Sequence, residues 1–243
     1  MDRRTFLLNV AKIGGLAALV RLGVSRSEAF QLVGSGIGGA TYTAAFRSSN
    51  GNIATSGTEI VVTAPAGIQN GDLLIAFAWS EIQQSSITCT GFTEIDNADN
   101  ALHQARTFYK VASSESGDYT WTFASTTSGF GVHMVALSKT GGTWVAPTTA
   151  GYHNAAITTD TGVATGNVTT QNNSVLVVGV SNDATPTLSA GPADMTQREY
   201  DSVGTCRGAT YTQDYATGAT VSKAATWSVS NLNAAAAVVA YAQ

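Results

Sequence analysis

The sequence predicts an all-β fold, a jelly-roll-like antiparallel β-sandwich made of two similar halves, preceded by an N-terminal helical segment. Three observations carry this. From residue 57 onward apolar side chains recur with a period of two, turn residues return at short intervals, and the same series of strands can be read twice. Helical stretches of the roughly ten or more residues that parallel crossovers need are missing, which disfavours an α/β architecture.

The first series predicts strands at 59–65, 72–80, 92–97, 104–112, 119–123 and 132–138. The second predicts strands at 167–171, 174–182, 196–201, 207–215, 225–230 and 235–242. NGDLLIAFAWS at 70–80 aligns with NNSVLVVGVSN at 172–182, YTWTF at 119–123 with AATWSV at 224–229, and VHMVALS at 132–138 with AAVVAYA at 236–242. In each copy a polar turn enters a continuously apolar strand, and a Trp-bearing strand precedes the last one. The region between the copies, 141–166, has no strong pattern. A composite sandwich of the halves 57–146 and 147–243 is expected rather than two independent ones, because neither half has enough large apolar side chains for a comfortable core of its own.

Composition narrows the function. Charged residues make up only 12%, about half the usual quarter. The 12 Lys+Arg against 16 Asp+Glu leave a net charge of -4, which argues against a nucleic-acid partner. At 44% hydrophobic residues the chain can bury a substantial core, so wholesale disorder is excluded. The charge is uneven: Arg3, Arg4, Lys12, Arg21 and Arg26 against Asp2 and Glu28 give the first 30 residues +3, leaving -7 for the remainder.

That basic head, residues 1–29, begins with Arg3-Arg4, followed by Phe6-Leu7 and a weakly apolar stretch from Val10 to Val20. It resembles a twin-arginine export signal, with Asp2 and Leu8 departing from the pattern. Ser27-Glu28-Ala29 would suit a signal peptidase. The stretch is short for a membrane span and Lys12 interrupts it. The other reading is a retained amphipathic helix that packs Phe6, Leu7, Val10 and Ile13 onto a partner. Residues 30–56 are expected to be a Gly/Ser/Thr-rich linker. Gly34, Gly36 and Gly39 have the spacing of a dinucleotide fingerprint, with Glu59 downstream, but no helical period follows and the segment is taken as a link.

A second resemblance rests on Pro65, Gly67, Ile68, Gly71, Asp72 and Leu73 leading into a central strand, then Gly91-Phe92-Thr93, then Phe108-Tyr109-Lys110-Val111-Ala112. This succession resembles a β-sandwich module of phage structural proteins (tail, fibre and head-surface components) and of secreted bacterial surface proteins, with Phe92 where the module has Trp. It covers 59–140 well and the second half loosely. It implies a scaffold and a setting, with no catalytic residue to carry over.

No chemistry-bearing constellation stands out. His103, His133 and His153 are far apart and lack paired ligand spacing, and His133 is expected as a hydrogen-bonded core histidine. There is no G-x-S-x-G elbow. Asp96, Asn97, Asp99 and Asn100 offer oxygens to calcium but lack the loop spacing, so an Asx-rich hairpin turn is expected. Cys89 and Cys206 are expected as buried free thiols, with a disulfide as the alternative in an exported protein. Trp79, Trp121 and Trp227 sit in core-like strands, and Tyr200, Tyr211 and Tyr215 could line a sheet face. Trp144 and Tyr152, in the irregular link, are the best exposed candidates for a glycan or partner contact.

The expectation is therefore a non-catalytic structural surface protein without metal or cofactor, homo-oligomeric and extracytoplasmic, decorating a virion or cell-surface assembly and contacting host or glycan. Membrane contact would involve residues 1–29 alone. If the head is cleaved, the alternative is a twin-arginine-exported periplasmic or secreted lectin-like protein. An exported hydrolase ranks lower and would need a histidine within reach of a carboxylate in a cleft.

Overall fold

A strand that is apolar on both faces needs a packing layer on each side. Leu73–Ser80 and Ser174–Asn182 are buried along their whole length. The computed structural model describes residues 41–243 other than 101, 116, 155–159 and 185–186, and those two strands lie at the centre of two stacked sheets.

The first half contributes β1 (Thr43–Ala54), β2 (Gly57–Thr63), β3 (Leu73–Ser80), β4 (Ile87–Thr88), β5 (Thr93–Asn100), β6 (His103–Val111), β7 (Asp118–Thr127) and β8 (Phe130–Thr140). The second contributes β9 (Thr148–Asn154), β10 (Gly162–Ala164), β11 (Val168–Thr169), β12 (Ser174–Asn182), β13 (Leu188–Ala190), β14 (Thr196–Val203), β15 (Cys206–Tyr215), β16 (Thr220–Val221), β17 (Ala224–Trp227) and β18 (Asn233–Ala240). The strand pairings among the described residues are antiparallel, and these residues form no helix. One five-stranded sheet has the order β1-β8-β3-β6-β5 and the other β14-β15-β12-β18-β9, so the second repeats the first when read from β9.

Each five-stranded sheet carries a smaller one on its outer side: β2-β7-β4 in the first half, β10-β17-β13 with the pair β11-β16 in the second. The first core lies between Leu74, Ala76, Phe108 and Met134 on one side and Ile60, Trp121 and Phe123 on the other. The second joins Leu176, Val178 and Val239 to Val163 and Trp227. The remaining faces of the large sheets meet in a central seam, where Leu73, Ile75 and Leu137 pack on Val175, Val177 and Val238, and Phe77 and Trp79 on Cys206, Ala234 and Ala236. Four layers result within one compact unit, Tyr42–Gln243, so that each half closes a core of its own and packs on the other, where a single composite sandwich was expected.

Across the seam β1 lies against β14, β8 against β15, β3 against β12, β6 against β18 and β5 against β9. Each contact is thus matched by its counterpart from the other half, the arrangement of an isologous interface. The strand registers define equivalent positions. Phe77 lies opposite Thr107 and His133, and Gly179 opposite Thr210 and Ala236.

Four further expectations are corrected. The linker expected over 30–56 contains a twelve-residue strand, because the Asn-Gly of TAAFRSSNGNIA does not turn but pairs with β8 past a bulge at Phe46/Ser48. Asp96 to Asn100 belong to β5, with the hairpin turn following them. The last-strand alignment slips by one residue: the equivalent of Val132 is Ala235, since these lie opposite Ala78 and Val180, and a run of alanines has no size pattern to fix register. The interval 141–166 contains β9 and β10. The expected helix, Arg3, Arg4, Phe6 and Leu7, the glycine motif and the start of the linker lie outside the described residues.

Candidate functional site

Most motif residues turn out to close turns. Asp72 Oδ2 accepts the Gln69 N–H at 2.8 Å and pairs with Arg47 Nε at 2.6 Å, while the Gly71 N–H donates to Ala112 O at 2.8 Å. Gly71 has φ 87°, a left-handed conformation that glycine adopts without strain, and its equivalent Asn173 has φ 54°. In the second half Ser174 takes the place of Asp72 and its hydroxyl bonds Gln171 O at 2.7 Å. Lys110 pairs with Glu115 at 2.8 Å and lies over the Phe92 and Tyr119 rings at 5.8 and 5.2 Å, with the Tyr119 hydroxyl donating to the same carboxylate. Burial raises the Glu115 pKa, but the bonds from Lys110, the Ser113 N–H and Tyr119 outweigh it and hold the carboxyl below its usual range.

The tertiary structure assembles a different set of polar groups inside the seam. His133 Nε2 is 3.2 Å from Asp201 Oδ2, and its Nδ1 is 3.0 Å from Thr210 Oγ1. The Trp79 ring meets the imidazole edge-on at 4.7 Å. The hydrogen bond from His133 holds the Asp201 pKa down despite burial. Acid, imidazole and hydroxyl thus stand in the order of a hydrolytic triad. Access is what they lack: His133 is 0% and Thr210 1% exposed, and a Cβ on Gly51 would overlap the imidazole. At His133 the distance to a carboxylate named for a hydrolase is met, while the imidazole itself is buried. The expectation of a hydrogen-bonded core histidine describes what is seen.

Two further contacts cross the seam at equivalent places. Trp79 Nε1 donates to Cys206 Sγ at 2.8 Å, and His103 Nε2 shares a hydrogen bond of 2.8 Å with Ser181 Oγ. The registers make Trp79 equivalent to Ser181 and His103 to Cys206. Just beyond β3 and β12 lie Glu81 and Asp183, themselves equivalent. Glu81 accepts hydrogen bonds from Ser128 in its own half and from Thr205 in the other. Burial and then the charge of Glu81 push the Asp183 carboxyl up to about 6. Asp201, Thr210, Ser181, Glu81 and Asp183 had no local signal, since their partners lie on other strands far along the chain. Only the equivalence of Glu81 and Asp183 could have been read from the aligned copies.

Trp144 is 8% exposed, not the open ring expected of it: it packs in the seam cluster and its Nε1 donates to Gly71 O at 2.7 Å. One side of it lines a shallow surface pocket of about 200 Å³ together with Gly71, Val111, Lys139, Gly142 and Thr143. The backbone of Tyr152 pairs with Ala236 in β9, and its side chain lies outside the described residues, as does that of His153. Cys89 and Cys206 are free thiols. Trp79, Trp121 and Trp227 are fully buried, and Tyr211 is buried while Tyr200 is exposed.

Among the described residues no group of three or more His, Cys, Asp or Glu is placed to hold a metal ion. Every described cation is engaged within the chain: Arg47, Arg106 and Lys110 in ion pairs, Lys139, Arg207 and Lys223 on backbone carbonyls, and Arg198 over the Phe46 ring at 3.6 Å. Comparison of the chain with protein-family models, with curated proteins and with solved structures finds no match.

Proposed function

We propose that this chain is a non-catalytic structural surface protein, formed by duplication of a jelly-roll-like sandwich, that decorates a virion or cell-surface assembly. The strand order supports the jelly-roll reading, because β1-β8-β3-β6 facing β2-β7-β4 is the pairing pattern of two nested Greek keys. Its recurrence in the second half supports duplication. One observation carries the functional reading: among the described residues His103, His133 and Cys206 are buried in the seam, Asp72 and Glu115 close turns, and the cations are engaged within the chain, which favours shape and hydrogen bonding as the means of contact. The motif resemblance to phage and surface modules fits this, since those motif residues are scaffold.

In this reading the head, residues 1–29, is an attachment arm, and other structural subunits and further copies of the chain are the partners. Fractionation of the native source with quantitative mass spectrometry tests it. The chain should co-sediment with a particle or envelope at a fixed ratio to other structural subunits and begin at Met1 or Asp2. A chain free in the soluble fraction that shows reproducible turnover overturns it.

The second reading, a twin-arginine-exported lectin-like protein, is favoured by the Trp144-lined pocket, where the apolar face of a sugar could stack. A mature chain beginning near Phe30, with thermal stabilisation by a glycan that is lost in Trp144→Ala, would select it.

A further inference from the structure

The two equivalent polar contacts across the seam respond differently to acid. The Trp79–Cys206 contact joins an indole that does not ionise to a thiol whose pKa burial pushes far up, so it is unchanged below neutral pH. Its counterpart contains His103, 0% exposed, with Nε2 bonded to Ser181 and Nδ1 without a partner. Neutral imidazole tolerates that site. Imidazolium brings two donors and a charge, and a buried charge without a counter-ion is costly.

The surroundings offer it little compensation. On the seam face β12 presents Ser181 and β18 presents Ala234, while Asn182 and Asn233 lie on the other face of their sheet and bond each other. Among the titratable groups, Glu81 and Asp183 lie beyond the ends of β3 and β12, Asp96 and Asp99 are on β5, and His153 is on β9. His133 on β8 is occupied with Asp201 on β14. Among the described residues no charge acts on His103: burial alone lowers its pKa, to about 4.

We propose that this end of the seam is an acid-sensitive latch between the two halves, in which protonation of His103 breaks the contact between β6 and β12 while the apolar end, around Leu73, Ile75, Val175 and Val177, stays closed. Water reached by opening solvates the imidazolium that the closed seam cannot. Because the folded pKa lies below the ordinary 6.5, the stabilising contribution is full above 6.5, is lost as pH falls from 6.5 towards about 4, and changes no further below. Opening therefore grows by up to about tenfold per pH unit across that window. Asp183 opposes it. Its folded pKa is raised from 3.8 to about 6, so its protonation favours the closed form as pH falls through that range, but it is half buried at the rim, where solvent weakens the effect.

Hydrogen exchange of the full chain between pH 7 and 4, corrected for intrinsic rates, tests the latch alongside NMR titration of the His103 ring. Protection over 103–106 and 180–183 should fall by up to about tenfold per pH unit below 6.5, while 73–76 and 175–177 hold. His103→Gln should abolish the fall, and Asp183→Asn should make it steeper between about pH 6 and 4, where the carboxyl no longer offsets it. An unchanged fall in His103→Gln, equal loss at both ends of the seam, or a His103 pKa of 6.5 or above would overturn the proposal. If His103→Gln does not fold, an Asp183→Asn chain whose fall between about pH 6 and 4 is shallower than that of the unaltered chain overturns it as well. None of these outcomes depends on what the outer surface binds.

Discussion

At equivalent positions facing the seam, the first half carries Leu73, Ile75, Phe77 and Trp79, where the second carries Val175, Val177, Gly179 and Ser181. The larger set protrudes and the smaller makes room: a Cβ on Gly179 would overlap the Phe77 ring, and one on Gly208 would overlap Trp79. Two identical faces would set Phe against Phe where the equivalent strands meet. Large against small fills the same space without a clash, at the close packing interiors require. The matched strand order is therefore that of a symmetric pair, while the side chains make each half fit the other and not itself. The polar contacts diverge in the same way, into Trp79–Cys206 on one side and Ser181–His103 on the other.

The sharpest way to break this comparison is to truncate both members of one equivalent pair. Trp79→Ala should cost about 3–5 kcal/mol in denaturant unfolding, and Ser181→Ala only about 1 kcal/mol, the value of a single hydrogen bond. Equal costs would mean that the halves share the seam evenly. Next in size, Gly179→Val should cost about 1–3 kcal/mol by overpacking against Phe77, and clearly less in a Phe77→Ala background. Additive effects in that double-mutant cycle would refute the fit between the two residues.

The turns entering β3 and β12 differ by one substitution, and there the expected contrast is smaller. Asp72→Ala removes a charge-assisted turn bond and the partner of Arg47, at about 1.5–3 kcal/mol, against about 0.5–1.5 kcal/mol for Ser174→Ala. The last comparison involves no loss of stability. Burial raises the Cys89 thiol to about 11 and Cys206 higher still, so at pH 7 both should resist an aromatic disulfide reagent in the folded chain, with half-buried Cys89 labelled first.

Much of the fold was legible because alternation and turn chemistry are local. The twelve strands read from pattern all have counterparts in the structure, and the uninterrupted apolar runs announced strands covered on both faces. β1 was missed because Ser48, Ser49, Asn50 and Asn52 read as turn, whereas Asn50 and Asn52 in fact donate side-chain bonds to Thr63 O and Val61 O and tie β1 to β2. The short strands β4, β10, β13 and β16 carry too few residues for any period to be seen. The polar cluster of the seam was illegible for another reason. His133 is 68 residues from Asp201 and 77 from Thr210, and no spacing rule joins groups from three strands of two facing sheets.

By itself the sequence determined the all-β class, the two series of strands, the buried tryptophans and the turn residues, because these follow from the period of the side chains and from backbone sterics within a few residues. Tertiary structure alone decided that the two large sheets meet face to face, that bulk from one half enters glycine and alanine positions of the other, that Trp144 turns inward, and that a buried histidine meets a buried threonine and a part-exposed aspartate. Those outcomes depend on which faces remain to be covered once each half has folded, and on complementary volumes a hundred residues apart in the chain.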